Sequence, residues 1–323
     1  MRIVFLTTSY PRFPGDGAAP FVQSIAEALA NRGHQVEVVA PYDPLVRPSV
    51  NYAVKVHRFR YALFESWHIM GHARSLKADV RLRPLTYLLL PFFLIASFFS
   101  LWRVASKMKA DVIYAHWVIP NGLPAACAAQ WKRLPLLVSL HGSDMYVATK
   151  NKPYRLVAQW VFKHATAVTA CSPVLRDQAL SVGASPETRV LPYGIDPQRF
   201  NPALRSAQLR AKLGWQPDEI ILFGLGRMVY KKGFDVLLNA MPTIHSQCPQ
   251  VRLVLGGEGP VRAELEAQAR SLGIENWVTF LGQVAWDKAP DILASADLFI
   301  LPSIRDSAGN MDGLPNVLLE AMS

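Results

Sequence analysis

The sequence of 323 residues predicts an α/β fold of two Rossmann-like, doubly wound domains facing a cleft, the second incomplete at its carboxyl end. Three observations predict it. The chain opens on an apolar run, Arg2–Thr8, then apolar residues at helical spacing (Phe21, Ile25, Ala28, Leu29), then a second run, Val36–Ala40, which is the pattern of a βαβ unit. The same pattern restarts at Ile220. Between the two stands Pro192–Pro202 (PYGIDPQRFNP), with three prolines and no apolar period, which reads as a linker. Domains are therefore expected at 1–195 and 196–323.

Taken in order, the loop after the first strand is SYPRFPGDGAAP, with Gly15 and Gly17. It is too long for the tight turn of a dinucleotide site, and the second strand ends Val39-Ala40-Pro41 without an acid for a ribose. Its glycines can still bring bare backbone close to a ligand. Leu85–Trp102 runs for 18 residues without a charge, preceded by Arg81 and Arg83 and followed by Arg103, Lys107 and Lys109. Its length sits at the threshold for a membrane span. Asp111–Trp117, however, reads as a core strand of the same sheet as Arg2–Thr8, so a helix packed on the sheet and lying in a membrane surface is favoured over a span or a buried helix. Leu134–Leu140 is another buried strand, with His141-Gly142-Ser143-Asp144 at its carboxyl end, and His116 closes the strand before it. Ligands collect at such strand ends. Thr166–Ala170 and Arg189–Leu191 supply two further short strands.

In the second half, strands are expected at Ile220–Phe223, Val251–Leu255, Val278–Leu281 and Leu298–Leu301, and helices at Asp235–Ile244, Val261–Ser271 and Ala289–Ala294. The sequence then stops at Ser323 inside a helix opened by Asp312-Gly313-Leu314-Pro315, which leaves the domain short of closing elements. Two cations, Arg227 and Lys232, lie on the loop between strand Ile220–Phe223 and the next helix. An anion bound there would meet backbone N–H groups, a forked guanidinium and an ammonium together. The spacing is not that of a P-loop, and Val229 stands where a dinucleotide fingerprint needs its third small residue.

Composition narrows the partners. The three cysteines lie far apart, so neither a disulfide framework nor a zinc spacing is visible, which fits a reducing, cytoplasmic setting. Met1–Thr8 runs straight into a strand, with no signal peptide. Residues 1–170 hold 20 Lys/Arg against 8 Asp/Glu, whereas residues 171–323 hold 14 against 16. A polyanionic partner is expected for the first half only, an anionic membrane surface rather than nucleic acid.

Six stretches together resemble one family: HGSD at 141–144, LPYGIDPQRFNP at 191–202, GRMVYKKGFDVLLNAMP at 226–242, LVLGGEGP at 253–260, ADLFILPS at 296–303 and DGLPNVLLEAMS at 312–323. The chain is identified by them as similar to the retaining, nucleotide-sugar-dependent glycosyltransferases of family 4, which have the two-Rossmann GT-B fold. The resemblance implies a UDP- or GDP-sugar donor, a lipid-linked or surface-glycan acceptor on the first domain, and no metal or other cofactor. It places Arg227 and Lys232 on the donor diphosphate and Glu320, the second acid of an E-x7-E pattern, on the ribose. Asp312 takes the place of the first acid, one methylene shorter than the usual Glu. His141 falls near the sugar and the reacting centre, and Gly17 in the loop that approaches the diphosphate. Relatives continue for several more elements. Two other readings stay open: a non-catalytic, membrane-associated nucleotide-sugar binder, and a sugar-nucleotide epimerase of the same fold.

Overall fold

The computed structural model describes residues 1–47, 53–72, 83–307 and 309–323, and the chain divides into two compact units, Met1–Gly194 and Ile195–Ser323. In the first unit the strands are β1 (Arg2–Leu6), β2 (Gln35–Pro41), β3 (Lys55–Phe59), β4 (Val112–His116), β5 (Leu136–Leu140), β6 (Ala167–Ala170) and β7 (Arg189–Val190). The helices are α1 (Pro20–Asn31), α2 (Pro84–Lys107), α3 (Leu123–Lys132), α4 (Ser143–Lys150), α5 (Lys152–His164) and α6 (Pro173–Val182). The strands form one parallel sheet in the order β3-β2-β1-β4-β5-β6-β7. Chain order reverses between β1 and β4, and ligand sites of such sheets lie outside the strand carboxyl ends at that point. Val4, Phe5 and Leu6 of β1 are fully buried, as a strand covered on both faces requires.

α2 shows how the long apolar stretch is used. One stripe (Leu89, Phe93, Leu101, Val104) is buried, with the Phe93 ring 5.3 Å from Phe59 and 5.2 Å from Tyr61. The opposite stripe, Leu88, Phe92, Ile95, Phe99 and Trp102, is exposed at the three- and four-residue spacing of a single helix face.

The second unit contains α7 (Ala207–Lys212), β8 (Ile220–Leu225), α8 (Phe234–Gln247), β9 (Val251–Gly256), α9 (Arg262–Ser271), β10 (Val278–Gly282), α10 (Ala289–Ser295), β11 (Leu298–Phe299) and α11 (Asn316–Ala321). Its described strands form a parallel sheet in the order β10-β9-β8-β11, so the reversal falls between β8 and β11. Its core is separate, built on Phe234, Leu238, Met241, Leu253 and Leu255. Two glycines are required by close backbone approach. A Cβ on Gly233 (φ +68°) would stand 2.1 Å from the Pro302 carbonyl oxygen, and one on Gly257 (φ +130°) 1.9 Å from that of Gly226. These contacts fix the loops after β8, β9 and β11 against one another.

Candidate functional site

In the second unit, β8 runs out at Leu225 and the chain turns through Gly226 and Arg227 into one turn of 3₁₀ helix, Tyr230–Lys232, before α8. Lys232 folds back over the strand end, with its Cε 3.3 Å from where a Gly226 Cβ would stand. Arg227 is exposed beside it. The reversal of chain order brings β11 next to β8, and the loop after β11 then delivers Asp312 to the same place. Its Oδ2 lies 2.7 Å from Lys232 Nζ and accepts from Ser303 Oγ at 3.0 Å, while its Oδ1 lies 3.6 Å from Lys231 Nζ. Burial pushes the Asp312 carboxyl up, but the Lys232 and Lys231 ammoniums and the Ser303 hydroxyl together outweigh it and hold the group below the usual carboxylate range. Asp312 is thus ionised and turned onto the lysines.

Glu320 lies on α11, largely shielded from water. Burial raises its carboxyl to about 7, against the opposing pull of Arg199. The Arg199 guanidinium stacks 3.2 Å from the Trp286 ring centroid and donates to the Trp286 carbonyl at 2.9 Å. Two buried N–H groups of this pair, Arg199 Nε and Trp286 Nε1, have no hydrogen-bond partner among the described residues.

In the first unit, the loop carrying Gly17 is held by ion pairs. The Arg12 guanidinium donates to Asp16 at 2.7 and 2.9 Å and lies 3.6 Å from Asp43, and Arg58 donates to the Tyr10 and Pro11 carbonyls. A Cβ at Gly17 would meet nothing within 4 Å among the described residues, so none of them demands glycine there. His141 follows β5 and His116 ends β4, on strands that pair directly. His141 Nδ1 lies 2.6 Å from Tyr193 Oη, and its Nε2 lies 3.1 Å from His116 Nδ1. Asp144 caps this corner by accepting from the amides of Val118, His141 and Gly142. Trp117 sits between the two histidine-bearing strand ends at φ +65°, a costly conformation for a bulky side chain and of the kind that clusters at functional sites.

Sequence reasoning paired Arg227 with Lys232 but missed Lys231 and Ser303, which reach Asp312 from either side. It also missed Tyr193, although that residue stands in the quoted linker motif, and Arg199 with Trp286.

Residues 16–194 match the glycosyl transferase 4-like domain, and residues 206–323 match glycosyl transferases group 1. The chain belongs to the family 4 glycosyltransferases. Among this family, the chain is 34% identical to a GDP-mannose-dependent alpha-(1-6)-phosphatidylinositol monomannoside mannosyltransferase of Mycobacterium tuberculosis, over 99% of its own length and 77% of the relative's. It is 25% identical to a putative teichuronic acid biosynthesis glycosyltransferase of Bacillus subtilis, over 100% of its length and 79% of the relative's. A solved glycosyltransferase-like fold, Anabaena HepE in complex with UDP and glucose, superposes with a TM-score of 0.68 at 24% identity, covering 100% of this chain and 78% of the other. That likeness supports the GT-B fold, with its two Rossmann-like sheets.

Proposed function

We propose that this glycosyltransferase moves a sugar from a UDP- or GDP-linked donor to a lipid-linked or surface-glycan acceptor, with retention and without a metal, at the inner face of the cell membrane. The observation that carries the reading is the set of cations at the β8 end. Lys231 and Lys232 both lie against one carboxylate, Asp312, and Arg227 is exposed on the same loop, so cations outnumber the acid where an anion would bind. An ammonium has three N–H donors, so Lys232 can keep Asp312 and still meet a phosphate oxygen. Cleaving the anomeric C–O bond puts negative charge on the departing diphosphate, and fixed cations aimed there lower the barrier. Retention follows if the acceptor hydroxyl attacks from the face the diphosphate leaves. The new C–O bond then forms as the old one breaks, and the acceptor proton passes to the departing phosphate oxygen. In this reading, as the family resemblance implies, His141 serves the donor sugar, Glu320 the ribose and the loop of Gly17 the diphosphate. The relatives' names, one a lipid mannosyltransferase and one in teichuronic acid biosynthesis, support the acceptor class.

The exposed stripe of α2 supplies the membrane contact. Phe92, Phe99 and Trp102 of that stripe are exposed, Phe98 lies 6.3 Å from Trp131, which is 75% exposed, and Lys132 lies 5.4 Å from the Trp102 ring. Arg83, Arg103, Lys107 and Lys109 are exposed around the same helix, whereas Arg81 lies outside the described residues. With its other stripe committed to the sheet, α2 can lie in an anionic surface but not be surrounded by lipid.

The test is turnover of UDP-glucose and GDP-mannose with and without bacterial lipid extract, the product being read by mass spectrometry and its anomeric configuration by NMR. A glycosylated lipid of retained configuration is expected. Turnover without an acceptor would favour the epimerase, and binding without turnover the non-catalytic reading.

A further inference from the structure

His141 has both ring nitrogens engaged inside the first unit. The rings of His116, His141 and Tyr193 form a run of near-parallel planes, 16° apart at each step, with centroids 5.3 and 5.7 Å apart. Phe21 packs across the run, 5.0 Å from His141 and 4.7 Å from Tyr193, and Trp117 closes the other side at 4.6 Å. Burial holds both imidazoles neutral: His116 is lowered to about 3, and His141 is held well below its ordinary value by burial and then by His116. Each ring therefore carries one proton.

Where those protons sit follows from the far end of the run. His116 Nε2 is buried with no partner among the described residues. A buried N–H left unpaired is rarer than an acceptor left unused. The His116 proton therefore belongs on Nδ1, donated to His141 Nε2. His141 must then carry its own proton on Nδ1 and donate it to Tyr193 Oη. Tyr193 is the last ring of the run, its hydroxyl also meeting Cys171, and the other hydrogen bond of His141 goes to a residue of the strand beside it.

We propose that Tyr193 is a positioning residue whose hydroxyl, accepting from Nδ1–H, holds His141 in one tautomer and one ring orientation at the carboxyl ends of β4 and β5. The proposal rests on the reading of His141 as a residue on the donor-sugar side. Which ring nitrogen carries the proton decides what a histidine can offer a substrate, and the hydrogen bond on its other nitrogen sets that choice. Tyr193 lies two residues before the start of the second unit, at Ile195, so the group that orients His141 is placed where the chain leaves the first unit.

Tyr193→Phe removes the hydroxyl and keeps the ring against Phe21. The full chain, labelled with ¹⁵N-histidine, should show His141 protonated on Nδ1; in Tyr193→Phe that resonance should shift to the Nε2–H form or to an average of the two. In parallel, kcat for UDP-glucose or GDP-mannose should fall by about tenfold to a hundredfold while the donor KM changes by no more than about twofold. An unchanged His141 spectrum in the folded variant overturns the proposal. So does unchanged turnover in Tyr193→Phe when His141→Ala is impaired. Full turnover in His141→Ala instead overturns the reading on which the proposal rests.

Discussion

Glu320 carries a raised carboxyl, about 7 against 4.5 for the free side chain, with burial as the main cause. A folded-state value above the unfolded one means that the folded protein holds the proton more tightly. Stability from this group is therefore complete below about pH 4.5 and is lost as pH rises through about 7, a swing on the order of 3 kcal/mol. Chemical denaturation followed between pH 5 and 8 should show the second unit weakening with pH, and Glu320→Gln should flatten the slope. The same slope in both proteins would contradict it. Glu320 itself was legible, because it stands in a sequence pattern. Its environment was not, since Arg199 is 121 positions away and Trp286 lies on another loop. Asp312 repeats the lesson. Its place in the pattern suggested an acid reaching toward a sugar, whereas the fold turns it onto Lys232, 80 positions earlier, through the crossing of β11 to the far side of β8.

At the scale of elements, α2 separates what an apolar run says from what it conceals. Eighteen consecutive uncharged residues announce a helix and leave its faces undecided, because no polar residue marks the outside. Phe92, Phe93 and Phe98 all lie in the run expected at a membrane surface, and nothing in the sequence tells which of them makes that contact. The structure exposes Phe92, places Phe98 6.3 Å from Trp131, and puts Phe93 in the core at 0% exposure. Phe93 is therefore excluded from that role. Ile95→Ser with Phe92→Ser should weaken binding to vesicles of anionic lipid and leave the melting temperature nearly unchanged. Phe93→Ala should instead destabilise the first unit by about 3–5 kcal/mol. Salt should weaken vesicle binding of the native chain, each flanking cation contributing about 1 kcal/mol at an anionic surface. Equal binding of the double variant and the native chain, or equal binding to neutral vesicles, would remove this contact from the account. β3 was missed for a related reason: Lys55–Phe59 has a polar residue at three of five positions, and only its pairing with β2 reveals it. The alanine-rich α3 lacks the contrast of faces that periodicity needs.

In the whole molecule, two parallel sheets each reverse their chain order once, at β1/β4 and at β8/β11, and the candidate residues collect at those two points. His116, His141 and Tyr193 gather at the ends of β4 and β5; Lys231, Lys232 and Asp312 gather beyond β8 and β11. The linker was legible from its prolines, and the two βαβ starts from their apolar runs. The reversals were not legible, because strand order is set by which edge each crossover returns to. The central claim is that the cations after β8 hold the donor diphosphate. Calorimetric titration of the folded full chain with UDP and GDP tests it most directly, comparing the native protein with Lys232→Ala and Arg227→Ala. Each substitution should weaken nucleoside diphosphate binding by at least about tenfold, a loss of about 1.4 kcal/mol or more, with the circular dichroism unchanged. Native affinity in a folded Lys232→Ala protein would contradict the account.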